Sequence, residues 1–171
     1  SNFNTTSVQT MINMFQDCHS LSSLNLNNFI TSSVENMNCM FCNCFSLEFL
    51  YLDNFDTKLV INMGSMFDNC EKLISLDLQN FDPSLVAYMN SMFYNCVSLI
   101  FLRINFKAGA YLEIDSYFFP GTNTIKMCIN DEFFDILGGD EYFQGKGYEL
   151  NCGDTCFQEN RKIIIDKKKL K

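Results

Sequence analysis

Nine cysteines and a single histidine are the residues of this 171-residue chain whose types could do covalent or metal chemistry. Four of them, Cys18, Cys44, Cys70 and Cys96, recur at a constant interval of 26 residues. In a stack of turns about 5 Å apart, neighbouring members of such a column would lie within disulfide reach on distance alone. A free cysteine on an apolar stretch, however, behaves as a small buried hydrophobe, and the column is read as core. Cys39, Cys42 and Cys44, with His19 one repeat earlier, invite a zinc reading. A structural zinc site needs four convergent ligands, and Cys44 already belongs to the core column. No metal is therefore assigned, and Cys39 and Cys42 are read as ordinary thiols.

Cys128, Cys152 and Cys156 stand outside the ladder. In an oxidising compartment two of them are expected to pair, with Cys128–Cys152 the chosen bridge and the third left odd. In a reducing compartment all three stay thiols. Catalysis has little to draw on. His19 sits beside a core cysteine, where a surface or capping role is the default. Asp140 and Glu141 are adjacent in sequence and do not face each other as an acid/base pair must. Gly138-Gly139-Asp140 reads as a turn, with no phosphate-cradling loop elsewhere. The chain is expected to be no enzyme and to need no cofactor.

The elements that hold these residues repeat with them. Phe3, Phe29, Phe55 and Phe81 share a column, as do Val8, Val34, Val60 and Val86; Met11, Met37, Met63 and Met89; and Phe15, Phe41, Phe67 and Phe93. Self-similarity at this period is the mark of a solenoid, in which each unit buries its apolar side only against its neighbours. The first half of each unit, as in Val34…Met37…Met40-Phe41…Cys44, spaces apolar residues as a short helix does. Asp82 before Pro83 resembles a helix start, and Asp17, Asn43, Asn69 and Asn95 suit a left-handed stop. The second half, Leu73-x-x-Leu76-x-Leu78 for example, turns to period two and predicts a strand with alternate residues outward. About nine large apolar side chains per unit are expected inside, each worth roughly 1.5–3 kcal/mol, far above any surface ion pair.

The frame slips after Ile104. Ile114 to Phe119 reads as a degenerate first half, Thr124 to Ile129 as a fifth strand, and Ile163-Ile164-Ile165 as a last short one. Residues 1–130 are therefore assigned to the repeat domain and 131–171 to an aperiodic carboxyl-terminal cap or linker carrying the cysteine pair. Ser1-Asn2-Phe3 already lies in the repeat frame (compare Asn28-Phe29), so an excerpt of a longer protein is expected.

The pattern Phe55…Thr57…Val60…Met63…Met66-Phe67…Cys70…Leu73…Leu76-x-Leu78-x-Asn80 resembles the BspA-like leucine-rich-repeat surface proteins over roughly residues 2–105. That resemblance implies an α/β fold: an open leucine-rich-repeat arc of short parallel strands and short helices. It also implies display on a bacterial or protist cell surface, a link to adhesion, and no shared catalytic residues.

A net charge of −8 argues against a nucleic-acid partner. No apolar run approaches the roughly 20 residues of a membrane span. Asn4-Thr5-Thr6 is a glycosylation sequon that matters only in a secreted chain. The outward strand positions would align into a ribbon across the concave face: Ser23, Asn25 and Asn27; Phe49, Tyr51 and Asp53; Ser75, Asp77 and Gln79; Phe101, Arg103 and Asn105. Aromatic and arginine side chains are typical interface anchors, so Phe49, Tyr51, Asp53, Asp77, Phe101 and Arg103 form the candidate binding site for a protein or glycan. The competing readings are a ligand-free spacer, or an intracellular scaffold in the cytoplasm with all nine cysteines reduced.

Overall fold

A computed structural model describes residues 3–104, together with the backbone of two short strands at 126–128 and 149–150. The strands are β1 (Ser23–Asn25), β2 (Phe49–Tyr51), β3 (Ser75–Leu78), β4 (Phe101–Ile104), β5 (Lys126–Cys128) and β6 (Glu149–Leu150). All pair in parallel, β1 with β2 in one sheet and β3-β4-β5-β6 in another. Between β2 and β3 the ladder thins to a long bond from the Ile74 N–H to the Glu48 carbonyl, 3.4 Å. The register steps by one repeat, Leu24 opposite Leu50 and Leu76 opposite Leu102. The expected fifth strand is β5; β6 was not foreseen. Ile163 to Ile165 lie outside the described residues, as does most of the proposed cap.

The other half of each unit departs from expectation. Among the described residues there is no α-helix. A helix needs each N–H turned back to the carbonyl four residues earlier. Here the N–H groups of Met37, Cys39, Phe41 and Asn43 donate across to Asn62, Gly64, Met66 and Asp68 in the next unit, at 2.9–3.0 Å. The intervening Met40 and Cys42 close four-residue turns instead, onto Met37 and Cys39. Left-handed φ values of 53–60° recur at two columns, Asn13, Cys39, Ser65, Ser91 and Asp17, Asn43, Asn69, Asn95, and forbid helical continuation. The second column matches the expected left-handed stops. Isolated bridges Thr10↔Asn36↔Asn62↔Tyr88 complete a second parallel ribbon along the stack.

A run of tight turns brings side chains inward every third or fourth residue, much as a helix would, so the core is the expected one. The second and third units each place nine apolar side chains in the core cluster, eight large ones and a cysteine, from Val34 to Phe55 and from Val60 to Phe81. Phe15, Phe41, Phe67 and Phe93 stack with ring centroids 5.5–5.7 Å apart and planes within 6°.

Two polar columns tie the units at their corners. Each buried threonine hydroxyl sits between a backbone N–H and a carbonyl of the next unit. Thr31 Oγ1 accepts from the Asp56 N–H at 2.8 Å and donates to the Asp56 carbonyl at 2.9 Å. Thr5 does the same with Ile30, and Thr57 with Asp82. At the opposite corner Asn95 Nδ2 donates to Asn69 Oδ1, Asn69 Nδ2 to Asn43 Oδ1 and Asn43 Nδ2 to Asp17 Oδ1, at 2.8–2.9 Å.

Candidate functional site

The outward side of the strands is where the sequence places a binding face, and the register assembles most of it. Ser23 faces Phe49 and Asn25 faces Tyr51 across β1 and β2. Ser75 faces Phe101, and Asp77 faces Arg103, across β3 and β4. Phe49, Tyr51, Asp77 and Arg103 are all half-buried, their flanks packed and the remainder facing solvent.

Phe101 is a correction. Only 2% of its surface is exposed, so it offers no exposed anchor, although it stands apart from the core cluster that holds Leu102 and Ile104. Its strand is flanked on both sides, by β3 and β5, whereas the sequence reading treated every strand position alike.

Asp53 is exposed but engaged. Its Oδ2 accepts from Asn27 Nδ2 at 2.7 Å, and its N–H donates to Asn27 Oδ1 at 2.9 Å. Asn54 and Asn80 extend the pattern by donating to the Asn27 and Asp53 carbonyls. Asp77 Oδ1 accepts from the Gln79 N–H at 3.0 Å, so its carboxylate shapes the end of its own strand. The face therefore has an aromatic centre, Phe49 and Tyr51 on β2, with polar groups of settled orientation beside it. Such a surface suits recognition by stacking and hydrogen bonding.

The cysteine ladder is core, as read. Cys44, Cys70 and Cys96 are free and fully buried. Each thiol donates to a carbonyl one repeat earlier: Cys44 to Phe15 at 3.1 Å, Cys70 to Phe41 at 3.3 Å and Cys96 to Phe67 at 3.1 Å. Burial above all, then the neighbouring Cys18 thiol, pushes the Cys44 thiol up to about 11. Burial likewise holds Cys70 and Cys96 well above the ordinary thiol range. These sulfurs are neutral near pH 7 and are poor nucleophiles, because the thiolate is the reactive form.

Cys39 and Cys42 correct the sequence reading. They are joined as a disulfide across three residues, with Cα atoms 4.8 Å apart. Tight turns are compact enough for that span, and a helix-like reading of the segment hides them. Cys128 lies in β5, opposite Arg103 in register. Cys152 and Cys156 lie outside the described residues, so the expected carboxyl-terminal bridge does too. His19 is a surface residue, stacked on Phe45 at 4.9 Å and 3.6 Å from an Asp17 oxygen. Among the described residues no three His, Cys, Asp or Glu side chains are grouped to hold a metal ion. No helix among them is long and apolar enough to cross a membrane.

Two surface features escaped the sequence reading. Leu59 and Ile61 in the third unit, with Leu85 and Tyr88 in the fourth, are each about half exposed, at 45–53%. The corresponding residues are polar, Ser7 and Ser33 for Leu59 and Leu85, Gln9 and Glu35 for Ile61, and Thr10, Asn36 and Asn62 for Tyr88, a contrast that aligning the columns would have revealed. Asp68 carries a buried carboxylate oxygen, Oδ1, with no hydrogen-bond partner, and burial raises its pKa.

The sequence matches the model of a family described as Mycoplasma protein of unknown function, DUF285, over residues 1–50 and 25–123. The chain belongs to the DUF285 family. The two matched stretches begin 24 residues apart, at 1 and 25, close to one repeat, as expected when a multi-unit family model slides along tandem copies. The candidate face on β1–β4 and the cystine at Cys39–Cys42 lie within the DUF285 region. No curated protein and no solved structure matches the chain.

Proposed function

We propose that this DUF285 chain is a leucine-rich-repeat solenoid of the BspA-like kind. In this reading it serves a cell-surface protein as a non-catalytic binding module, engaged in adhesion or partner recognition. The partner is a protein or a glycan, met by the outward strand face around Phe49 and Tyr51, with Asp77 and Arg103 at its margin. The observation that carries this reading is the placement of Phe49 and Tyr51. Two aromatic side chains stand on the outward side of one strand, half-buried with part of each in solvent, opposite the small polar Ser23 and Asn25. A protein that only spaced other domains apart would gain nothing from setting two aromatic rings side by side on that face. Stacked repeats support the reading because such arrays present continuous ribbons of side chains to partners. The cystine at Cys39 and Cys42 supports an extracellular setting, where disulfides persist.

The test uses purified chain on intact cells and on an immobilised glycan and matrix-protein panel. Phe49→Ser combined with Tyr51→Ser is expected to cut binding at least tenfold, in line with the 2 kcal/mol or more that interface anchors carry (about 30-fold). The melting midpoint should stay near that of the parent. Equal binding by parent and variant would refute the face. A variant that unfolds would show instead that the rings are structural.

A further inference from the structure

The turn that carries Cys39 and Cys42 is repeated, without cysteines, in the three other described units. Its first position has φ 57° at Asn13, 54° at Cys39, 53° at Ser65 and 54° at Ser91. The closing bond recurs as well, Gln16 to Asn13, Cys42 to Cys39, Asp68 to Ser65 and Tyr94 to Ser91, at 3.0–3.2 Å. The backbone thus makes the same turn whether or not a disulfide is present. The bridge is therefore not what shapes this turn, and its presence in one unit alone calls for another explanation.

The two cysteines are also unequal. As residues, Cys39 is only half-buried, whereas Cys42 is 3% exposed. Cys42 Sγ lies 3.0 Å from the Ser65 carbonyl oxygen. That is the arrangement by which the reduced ladder thiols are held, each donating to a backbone carbonyl. A place for the proton of a reduced Cys42 is thus already built, and the turn accommodates both oxidation states.

We propose that Cys39–Cys42 is a thiol–disulfide exchange site, entered at Cys39, whose co-substrates are small thiols or accessible dithiols. An incoming thiolate attacks Cys39 Sγ as the Cys39–Cys42 bond breaks. The electron pair of that bond leaves on Cys42, which takes up and keeps the proton given up by the incoming thiol, its S–H then hydrogen-bonding to the Ser65 carbonyl. A mixed disulfide remains on Cys39. A second thiolate attacks the outer sulfur of that bond and releases Cys39, which takes up the second proton. Two thiols are oxidised to one disulfide, and the pair is reduced by two electrons. Run backwards, the same steps transfer a disulfide to a dithiol partner. Attack falls on Cys39 because exchange rates depend on which sulfur is accessible.

The test uses the full chain purified without reductant, with glutathione as the probe. Iodoacetamide labelling and peptide mapping should find Cys39 and Cys42 protected. After equilibration with reduced glutathione or dithiothreitol, both should label together, while Cys44, Cys70 and Cys96 stay protected and the circular dichroism is unchanged. Oxidised glutathione should restore protection. With Cys42→Ser, oxidised glutathione should leave an adduct on Cys39; with Cys39→Ser, Cys42 should acquire none at the same dose. Two free thiols that oxidised glutathione never joins would overturn the proposal. So would reduction that occurs only in urea, or an adduct placed on Cys42. The wild-type labelling alone decides the matter should either variant fail to fold, and it is read independently of any partner at the strand face.

Discussion

Replacing Thr31 by valine separates two accounts of why these units stay in register. The side chain is 1% exposed, and valine matches its shape while exchanging the hydroxyl for a methyl group. If apolar burial alone held the corner, the change would be neutral or slightly favourable. The hydroxyl, however, serves both the N–H and the carbonyl of Asp56, at 2.8 and 2.9 Å. Removing it forfeits two hydrogen bonds worth roughly 0.5–1.5 kcal/mol each and leaves their partners in want of water. Asp56 is only half-buried, so part of that want is met by solvent, and the expected loss is about 2–3 kcal/mol. For a chain of this size that lowers the melting midpoint by roughly 4–12 °C. Thr31→Ser keeps the hydroxyl and gives up one methyl group, a loss of about 1 kcal/mol. Urea titration of the three proteins should therefore rank parent, serine, valine. A valine variant as stable as the serine variant would refute the bridging account.

Gly64→Ala should destabilise by about 1–2 kcal/mol in the same assay, since overpacking a fitted site costs of that order. The added Cβ would stand 2.9 Å from Asn90 Oδ1, 3.1 Å from Asn38 Nδ2 and 3.2 Å from Asn62 Oδ1. Asn38 and Asn62 are hydrogen-bonded to Gly64 itself and give way poorly, so an unchanged urea midpoint would contradict this packing. Asp68→Asn should raise stability at pH 7. Burial lifts the folded carboxyl above its ordinary 3.8, so the folded chain binds more protons than the unfolded chain between those two values. The charged form is the disfavoured one, and parent stability falls as pH rises through that window. The gap in melting midpoint between variant and parent should close as pH drops below 3.8; a gap that widens instead would be inconsistent with desolvation. Under native conditions at pH 8, iodoacetamide should label the half-buried Cys18 well before Cys44, Cys70 and Cys96. Labelling of Cys70 at the rate of Cys18 would show that the ladder opens locally.

What the sequence disclosed was whatever repeats in register. Identical columns place identical side chains above one another, so the phenylalanine stack, the cysteine ladder and the outward positions of β1 to β3 could all be read from spacing. The turn-rich half was misread because Val34, Met37, Met40 and Phe41 satisfy helical spacing equally well. Only the destination of the backbone N–H groups separates the two structures, and spacing carries no record of it. The first left-handed column is occupied by Asn13, Cys39, Ser65 and Ser91, too mixed a set to announce a turn, whereas the asparagine-rich second column did announce itself. Cys39 and Cys42 went unpaired in the sequence reading for the same reason. Phe101 was misplaced because its burial depends on the strands either side of it, which no single column reports.

The asparagine corner has a consequence for how such a chain can change length. Every amide in it donates in one direction, toward the amino-terminal unit, and Asn43 and Asn69 also accept from the other, so each of these two is both plug and socket. Asp17, a carboxylate, can only receive, and it closes the series. Inserting or deleting one whole unit of 26 residues restores every plug to a socket, and the threonine corners and ring stack close as before. Adding or removing any other number of residues within the array misaligns all of them at once. Chains built on this plan are therefore expected to differ in their arrays by whole units, with length set by duplication and excision more readily than by gradual drift.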